Sequence, residues 1–271
     1  MKLNRQVRLY PNKTMKHVLD SLCDYRRYCW NMAIECWNNK YEARLIGLPQ
    51  SLLDKLQSKT EQLTSEEMEL VNRYPNPSFY SVRNEMVSQK EDWQYAMSSR
   101  VLQQAVKDVA RAWDLFFNHQ DTAGRPTFKT RKSPKQGFKT DRASIHNGQL
   151  LLDKPRGYLG QWKTIKFKGS SIPDGKLTFC SVTRKNGRYT ATFTIDVEPT
   201  SLTQTGQKTA VDANVDHFDT TDGRTSLKPN VLNPLYTRVR HYQRILARKR
   251  HRNPRAVHSK GYQATRTKLQ R

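Results

Sequence analysis

Four aspartates in the last third of the chain have a spacing that could support chemistry: Asp212, Asp216, Asp219 and Asp222. Asp212 lies in the apolar segment 209–215, whose pattern predicts a short buried strand ending in an acid. An aspartate at this position is either a metal ligand or an ordinary acid at a strand end. No Asp or Glu follows Asp222, so residues 223–271 offer no further carboxylate.

The four cysteines do not indicate a metal site. Cys23, Cys29 and Cys36 follow one another at helical intervals, Cys180 is distant, and no pair has the two-residue spacing of a zinc knuckle. We expect free or buried thiols in a reducing compartment and no zinc site. The sequence also has no glycine-rich phosphate loop and no His-x-Glu metal motif.

The positive charge is concentrated in the second half of the chain. With 48 Lys and Arg against 24 Asp and Glu, the net charge is +24. Residues 13–122 carry 14 bases and 15 acids, whereas residues 123–271 carry 31 bases and 9 acids. A solvated surface normally mixes both signs, so an excess on this scale favours a polyanionic partner, and nucleic acid is the first candidate.

We expect the contacts with nucleic acid at basic residues, and at one asparagine, in three parts of the chain. These residues are Arg8, Arg27, Asn31, Lys129, Arg131, Lys132, Lys135, Arg238, Arg240, Arg244, Arg248, Lys249, Arg250, Arg252 and Lys260.

Residues 13–122 are predicted to be helical, because apolar residues recur there at three- and four-residue steps. One stripe runs from Met15 to Trp37, and a second runs from Val101 to Phe117 after the capping candidates Ser98 and Ser99. We interpret these stripes as core; the alternative is a platform on which bases stack. Residues 47–76 are polar and uneven, and Pro49, Pro75 and Pro77 mark loops there.

From residue 163 the apolar period changes from helical to two. Residues 163–168 and 176–184 predict strands, Asn186 and Gly187 predict a two-residue hairpin turn, and residues 188–197 predict the half-buried return strand. Residues 199–207 predict a linker. A turn is expected at residues 221–223, and a basic helix is expected from Leu235.

The sequence shows neither a membrane span nor a secretory signal. Apolar residues make up 35% of the chain, and no stretch approaches the 18 apolar residues of a membrane span. The basic residues 1–10 lead into no apolar signal segment. We therefore expect a cytoplasmic protein without a membrane partner.

Six short motifs follow one another in chain order. They are Val7-Arg8-Leu9-Tyr10-Pro11-Asn12, Arg27 to Ile34, Leu102-Gln103-Gln104-Ala105 with Ala112-Trp113 and Phe116-Phe117, Pro126-Thr127-Phe128-Lys129, Ala210 to Val215 with Asp222-Gly223, and Ser259-Lys260-Gly261. Each is weak alone, but together they extend over nearly all of the chain, and in this order they resemble the TnpB (OrfB-type) proteins of insertion sequences.

The resemblance implies an α+β architecture. Residues 1–12 and 124–199 would form a small β-barrel, and residues 13–123 would form a helical recognition lobe inserted into it. Residues 206–271 would form the N-terminal part of an RNase H-like (RuvC-like) nuclease domain with basic helices.

The resemblance also implies a function, that of an RNA-guided DNA endonuclease whose partners are a guide RNA and double-stranded target DNA. Asp212 matches the family's first carboxylate, a ligand of catalytic Mg²⁺, although Asn214 stands where the family has glycine. The family's later carboxylates and zinc-ribbon cysteines have no counterpart here, and one carboxylate cannot hold two metal ions. We therefore expect a chain truncated within its nuclease domain that does not cut DNA.

Three readings remain open at this point. The chain is an RNA-guided binding module, a decayed protein or fragment of an active endonuclease, or, independently of the resemblance, an unguided basic RNA-binding protein.

Overall fold

The computed structural model describes residues 1–58, 62–119, 122–133, 135–169, 171–199, 206, 208–214, 217–227 and 232–270. The described chain divides into two compact units, residues 1–198 and 199–271. Most of the predicted linker, together with Val215 and Asp216, lies outside the described residues.

The first unit begins with a strand and continues through helices. Its elements are β1 (Lys2–Tyr10), α1 (Lys13–Gly47), α2 (Gln50–Ser58), α3 (Ser65–Arg73), α4 (Phe79–Ser88), a 3-10 helix (Asp92–Ala96) and α5 (Ser99–Asn118). The side chain of Asn12 caps α1 by accepting a hydrogen bond from the Met15 amide at 2.8 Å.

The remainder of the first unit is β structure. Its strands are β2 (Lys135–Thr140), β3 (Ala143–His146), β4 (Gln149–Leu152), β5 (Ile165–Gly169), β6 (Lys176–Lys185) and β7 (Arg188–Asp196). Within the described residues, β1–β7 form one antiparallel sheet in the order β2-β6-β7-β1-β5-β4-β3. The N-terminal strand thus lies between β7 and β5, and residue Lys2 faces Asp196.

The predicted hairpin is confirmed. Asn186 and Gly187 both have positive φ, 51° and 71°, which is the conformation that a type I′ turn needs. On β7, Tyr189, Ala191, Phe193 and Ile195 alternate with more exposed residues and enter the core. The two-residue apolar period was sufficient to predict this hairpin, because both strands and the turn between them are adjacent in the sequence.

Helices α1, α4 and α5 share one hydrophobic core with the sheet of the first unit. The stripe of α1 is buried from Met15 to Trp37, and α5 buries residues from Val101 to Trp113. Trp113 is 1% exposed and stacks on Trp37 with ring centroids 6.3 Å apart. The interpretation of the stripes as core is confirmed, except at Phe117, which is 43% exposed at the end of α5.

The loops predicted at Pro49, Pro75 and Pro77 are confirmed, and α2 and α3 lie between them. Thr64 and Glu67 form a reciprocal capping box at the start of α3, a signal that the sequence carries. Leu52 of α2 is 2% exposed, so this segment contributes to packing.

The second unit contains a small sheet and two helices. Its elements are β8 (Val211–Ala213), β9 (His217–Thr220), β10 (Thr225–Leu227), α6 (Leu232–Arg252), a 3-10 helix (Pro254–His258) and α7 (Lys260–Leu269). The strands pair antiparallel in the order β10-β9-β8. The expectation that Asp212 lies in a buried strand is wrong, since every residue of β8 is exposed and Val211 is 60% exposed.

No helix in the described part of the chain is both long enough and apolar enough to cross a membrane.

Candidate nucleic-acid interface

Residues 127–129, in the segment that leads into β2, are hydrogen-bonded to one face of α1. The indole N–H of Trp30 donates to the carbonyl of Thr127 at 2.9 Å. The side-chain amide of Asn31 donates to the Lys129 carbonyl at 3.1 Å, and its oxygen accepts from the Lys129 amide at 2.8 Å. These three hydrogen bonds, made over three residues, fix the position of the segment along α1.

The ammonium group of Lys129 lies over an aromatic ring. Its Nζ is 3.4 Å from the centroid of the Trp30 ring, and the guanidinium carbon of Arg26 is 5.0 Å from the same centroid. Arg26 and Trp30 are four residues apart on α1 and therefore share a face. Cation–π attraction holds both cations near one indole.

Asp108 of α5 partly neutralises this cluster. Its carboxylate accepts a hydrogen bond from Arg26 at 2.7 Å and from Lys139 of β2 at 2.8 Å. Burial alone would raise the pKa of Asp108, but these two hydrogen bonds outweigh it and lower the pKa below its ordinary value. Asp108 is thus ionised and joins α1, α5 and β2.

Lys129 has an unusual titration for a lysine. Burial, followed by the nearby charges of Arg26 and Lys139, lowers its pKa from 10.5 to about 8, and Asp108 opposes this shift only in part. No ion pair joins Lys129 or Lys135 to a carboxylate among the described residues. The site therefore holds more positive charge than the protein itself balances.

A cavity of about 330 Å³ opens between α1 and the segment that leads into β2. Four cations line it, Arg26, Arg27, Lys129 and Lys135, and its described lining includes no carboxylate. Cys23 also contributes, and because burial raises its thiol pKa to about 12, it is neutral there. An adjoining cavity of about 300 Å³ shares three of the cations and adds Lys139.

A glycine allows β2, which lines both cavities, to lie close to its neighbouring strand β6. A Cβ added at Gly137 of β2 would lie 2.3 Å from the carbonyl oxygen of Val182 on β6. Any larger residue would displace β2, on which Lys135 and Lys139 stand.

Gln136 organises the loop at the mouth of the cavity. Its amide nitrogen donates to the carbonyls of Arg131 at 2.9 Å and Thr130 at 3.3 Å, and its oxygen accepts from Arg27 at 3.0 Å. Arg27 also pairs with Asp24 at 2.7 Å. The side chains of Arg131 and Lys132 are exposed on this loop.

Four of the expected contact residues are therefore brought together by the fold: Arg27, Asn31, Lys129 and Lys135. Asn31 is engaged with the main chain of Lys129, so its observed role is to position that lysine. Arg8 is exposed on β1, 4.9 Å from the Tyr10 ring, and does not line the larger cavity.

Three residues of this site were absent from the expected contacts: Arg26, Phe128 and Lys139. Arg26 could have been found from its position one helical turn before Trp30. Phe128 lies within the Pro-Thr-Phe-Lys motif, and its 56% exposure is unusual for phenylalanine. The contribution of Lys139 could not be predicted from its neighbours in the sequence, because its position in the site depends on the pairing of β2 with β6.

The other predicted contacts lie in the second unit, where α6 carries six exposed arginines. They are Arg238, Arg240, Arg244, Arg248, Arg250 and Arg252. Lys249 instead donates to the Gly261 carbonyl at 2.9 Å and the Thr265 hydroxyl at 3.0 Å, so it joins α6 to α7. Lys260, the first residue of α7, is exposed.

Asp212 is exposed on β8 and lies directly opposite Asp219 of β9. The two aspartates therefore stand on neighbouring strands of one antiparallel pair. The carboxylate of Asp219 already contacts Asn214 at 3.0 Å, His217 at 3.0 Å and Thr225 at 2.8 Å. No group of three or more metal-binding side chains occurs among the described residues. These donors do not fit a pair of Mg²⁺ ions.

One family model matches the chain. It is described as a helix-turn-helix domain, of the OrfB IS605 type, and it covers residues 1–45. The match supports the IS605/OrfB (TnpB-type) transposase family and includes the first two of the six motifs. In this structure residues 1–45 form β1 and most of α1, a strand and one long helix. No curated protein matches the chain.

Proposed function

We propose that this protein is a transposon-associated nucleic-acid-binding protein of the TnpB kind, which holds a guide RNA and target DNA but does not itself cut DNA. The observation that carries the proposal is the unbalanced charge of residues 123–271, where bases exceed acids by 22. The helix-turn-helix description of the family model supports DNA as one partner.

The placement of the charge supports binding to a nucleic-acid backbone. The exposed arginines of α6 follow one another along a helix of 21 residues that contains no acid. A guide–target heteroduplex is recognised through its backbone and A-form shape, which requires cations in quantity. Magnesium and the nuclease step have no part in this proposal, because the donors around Asp212 do not fit the metal pair.

The first test measures binding of the full chain to a structured RNA and to duplex DNA over a range of salt concentrations. We expect affinity to fall steeply with salt, with a log–log slope of roughly 0.9 for each duplex phosphate contacted. Replacement of Arg240, Arg244 and Arg248 by Gln is expected to reduce the slope. A chain that binds neither nucleic acid, or binds independently of salt, contradicts the proposal.

The second test separates guided from unguided binding. The chain is produced together with a transcript of the DNA flanking its gene, purified, and the retained RNA is sequenced. Enrichment of one RNA from the flank supports a guide. Retention of cellular RNA in proportion to its abundance favours the unguided RNA-binding protein.

A further inference from the structure

The larger cationic cavity beside α1 has a position and a lining that neither the family match nor the charge count explains. The exposed arginines of α6 belong to the other unit, whereas this cavity lies within the first. Its features narrow the ligand to a particular chemical class.

The first feature is an excess of positive charge, which favours an anionic ligand. Five cations, Arg26, Arg27, Lys129, Lys135 and Lys139, surround the paired cavities, and two carboxylates, Asp24 and Asp108, are their ion-pair partners. Lys129 is half-buried and has no carboxylate partner among the described residues, so its charged form is less costly when a ligand supplies the counter-charge.

The second feature is size. The volume of about 330 Å³ is roughly ten times the ~30 Å³ that one water occupies in the liquid. It accommodates a phosphate group with part of its sugar, but not a helical duplex, whose phosphates would contact the rim.

The third feature is an exposed ring at the edge of the cavity. Phe128 stands between Thr127 and Lys129, whose main-chain groups are hydrogen-bonded to α1, so its own backbone is fixed. Its side chain lines the cavity and is 56% exposed. An exposed aromatic ring on a fixed backbone beside cations is the arrangement with which single-strand binders stack a base and hold its phosphate.

We propose that this cavity holds one phosphodiester group of an unpaired nucleic-acid strand, between Lys129, Lys135 and the arginines of α1, while the adjacent base stacks on Phe128. The proposal rests on the proposed function and adds the site and the strand type. Trp30 and Asn31 act as positioning residues, because they fix the segment that carries both contacts.

The test compares variants of the full chain for binding to labelled uridine RNA and thymidine DNA, each about ten nucleotides long, and to a duplex of matched composition. Phe128→Ala is expected to weaken single-strand binding by about 5- to 150-fold, and Phe128→Tyr to restore it. Lys129→Gln is expected to reduce the log–log salt slope by about 0.7. Equal losses on RNA and DNA support a contact common to both strands, and a loss on RNA alone assigns the strand to RNA.

The matched controls are Tyr80→Ala, which removes a ring that is 67% exposed on α4, and Lys168→Gln, which removes an exposed lysine on β5. The proposal is overturned if Phe128→Ala binds single strands as tightly as the unaltered chain, or loses no more than Tyr80→Ala. An equal loss on the duplex also overturns it. If the unaltered chain binds no nucleic acid, the proposed function fails as well, so the two failures are distinguishable.

Discussion

Asn31 and Lys129 are 98 residues apart in the sequence, yet the amide of Asn31 makes two hydrogen bonds with the main chain of Lys129, at 3.1 and 2.8 Å. An asparagine side chain that bonds both the carbonyl and the amide of one residue acts as a strand partner would. The Asn31 side chain thus fixes the position of Lys129 along α1, and the ammonium group of Lys129 then lies over Trp30. The conformation of the cationic site therefore depends on a residue that carries no charge.

This relationship predicts the effect of Asn31→Ala. Loss of two partly buried hydrogen bonds is expected to destabilise the protein by about 2 kcal/mol. Nucleic-acid affinity is expected to fall together with stability, because Lys129 and Phe128 are no longer positioned. Thermal melts and binding isotherms provide the measurements.

The matched control is Asn38→Ala, two turns further along α1, where the side chain accepts one exposed hydrogen bond from Arg125 at 3.3 Å. A reduced affinity in Asn31→Ala at an unchanged melting temperature would instead assign Asn31 a direct nucleic-acid contact, as the sequence predicts.

Lys129 predicts a pH dependence of binding. Its pKa of about 8 means that the free protein loses this charge between roughly pH 7 and pH 9, so affinity is expected to fall as pH rises. The groups facing it are Arg26 on α1, Asp108 on α5 and Lys139 on β2. A bound phosphate raises the pKa, which moves the midpoint above 8 when ligand is in excess.

Binding titrations at constant ionic strength from pH 6.5 to about 9.5 measure this profile. Lys129→Arg retains its charge over the whole range and is expected to flatten it. The hypothesis is rejected if the unaltered chain and Lys129→Arg show the same profile.

Asp108 predicts sensitivity to acid. Because its folded pKa lies below the ordinary value of 3.8, the ionised carboxylate contributes stability above about pH 4, and this contribution is lost as pH falls through the folded pKa. Asp108→Asn is expected to destabilise the protein by about 1–3 kcal/mol at neutral pH and to make its stability less dependent on pH below 4.

Denaturant unfolding at several pH values measures both effects. Asp114→Asn, an exposed aspartate on the same helix, is the control and is expected to change little. An equal change in both variants would show that the ion pairs of Asp108 do not contribute to stability.

Trp113 predicts a large effect on stability. Its ring is almost fully buried against Trp37, and Phe117 stacks on it at 5.5 Å. Trp113→Ala is expected to cost about 3–5 kcal/mol, because the cavity it leaves cannot be refilled by its neighbours. Phe117→Ala, at the exposed end of the same stripe, should cost much less. Circular dichroism melts decide between them, and an unchanged melting point with lost nucleic-acid binding would make Trp113 a contact residue.

The sequence predicted the structure best where the pattern is local. The stripes of α1 and α5 and the hairpin of β6 and β7 follow from periods and turn chemistry within short windows. The sheet order does not, since β1 pairs with β7 across almost the whole unit, and such pairings leave no local trace. The exposure of β8 was not predicted either. An apolar run indicates a strand, but it does not show whether another element will pack against that strand.

The same division applies to the candidate site. Arg27, Asn31, Lys129 and Lys135 were expected from motifs and charge. The cavity itself was not expected, because it forms only when residues 127–137 pack on α1, and Arg27 meets Gln136 from 109 positions away. Phe128 was visible as part of a motif, but its exposure follows from hydrogen bonds made by its two neighbours.

Asp212 leads to the last prediction, that this chain does not cleave DNA in Mg²⁺ or Mn²⁺, even with a matched guide. Two-metal cleavage needs several carboxylates from separated elements around ions about 3.5–4 Å apart. All four acids of residues 206–271 fall between Asp212 and Asp222. Of these, Asp219 faces Asp212 across β8 and β9 but is already engaged by Asn214, His217 and Thr225.

The assay uses the full chain, the RNA it retains, and a supercoiled plasmid carrying the matching target. The expected result is guide-dependent retention of the plasmid without nicking. Asp212→Ala should leave this retention unchanged, because an exposed acid repels a phosphate backbone and offers it no favourable contact. Metal-dependent cutting that Asp212→Ala abolishes would contradict the prediction. It would also require that Asp219 exchange its present partners for a metal ion, which Asp219→Asn, tested alongside, would reveal as an equal loss of cutting.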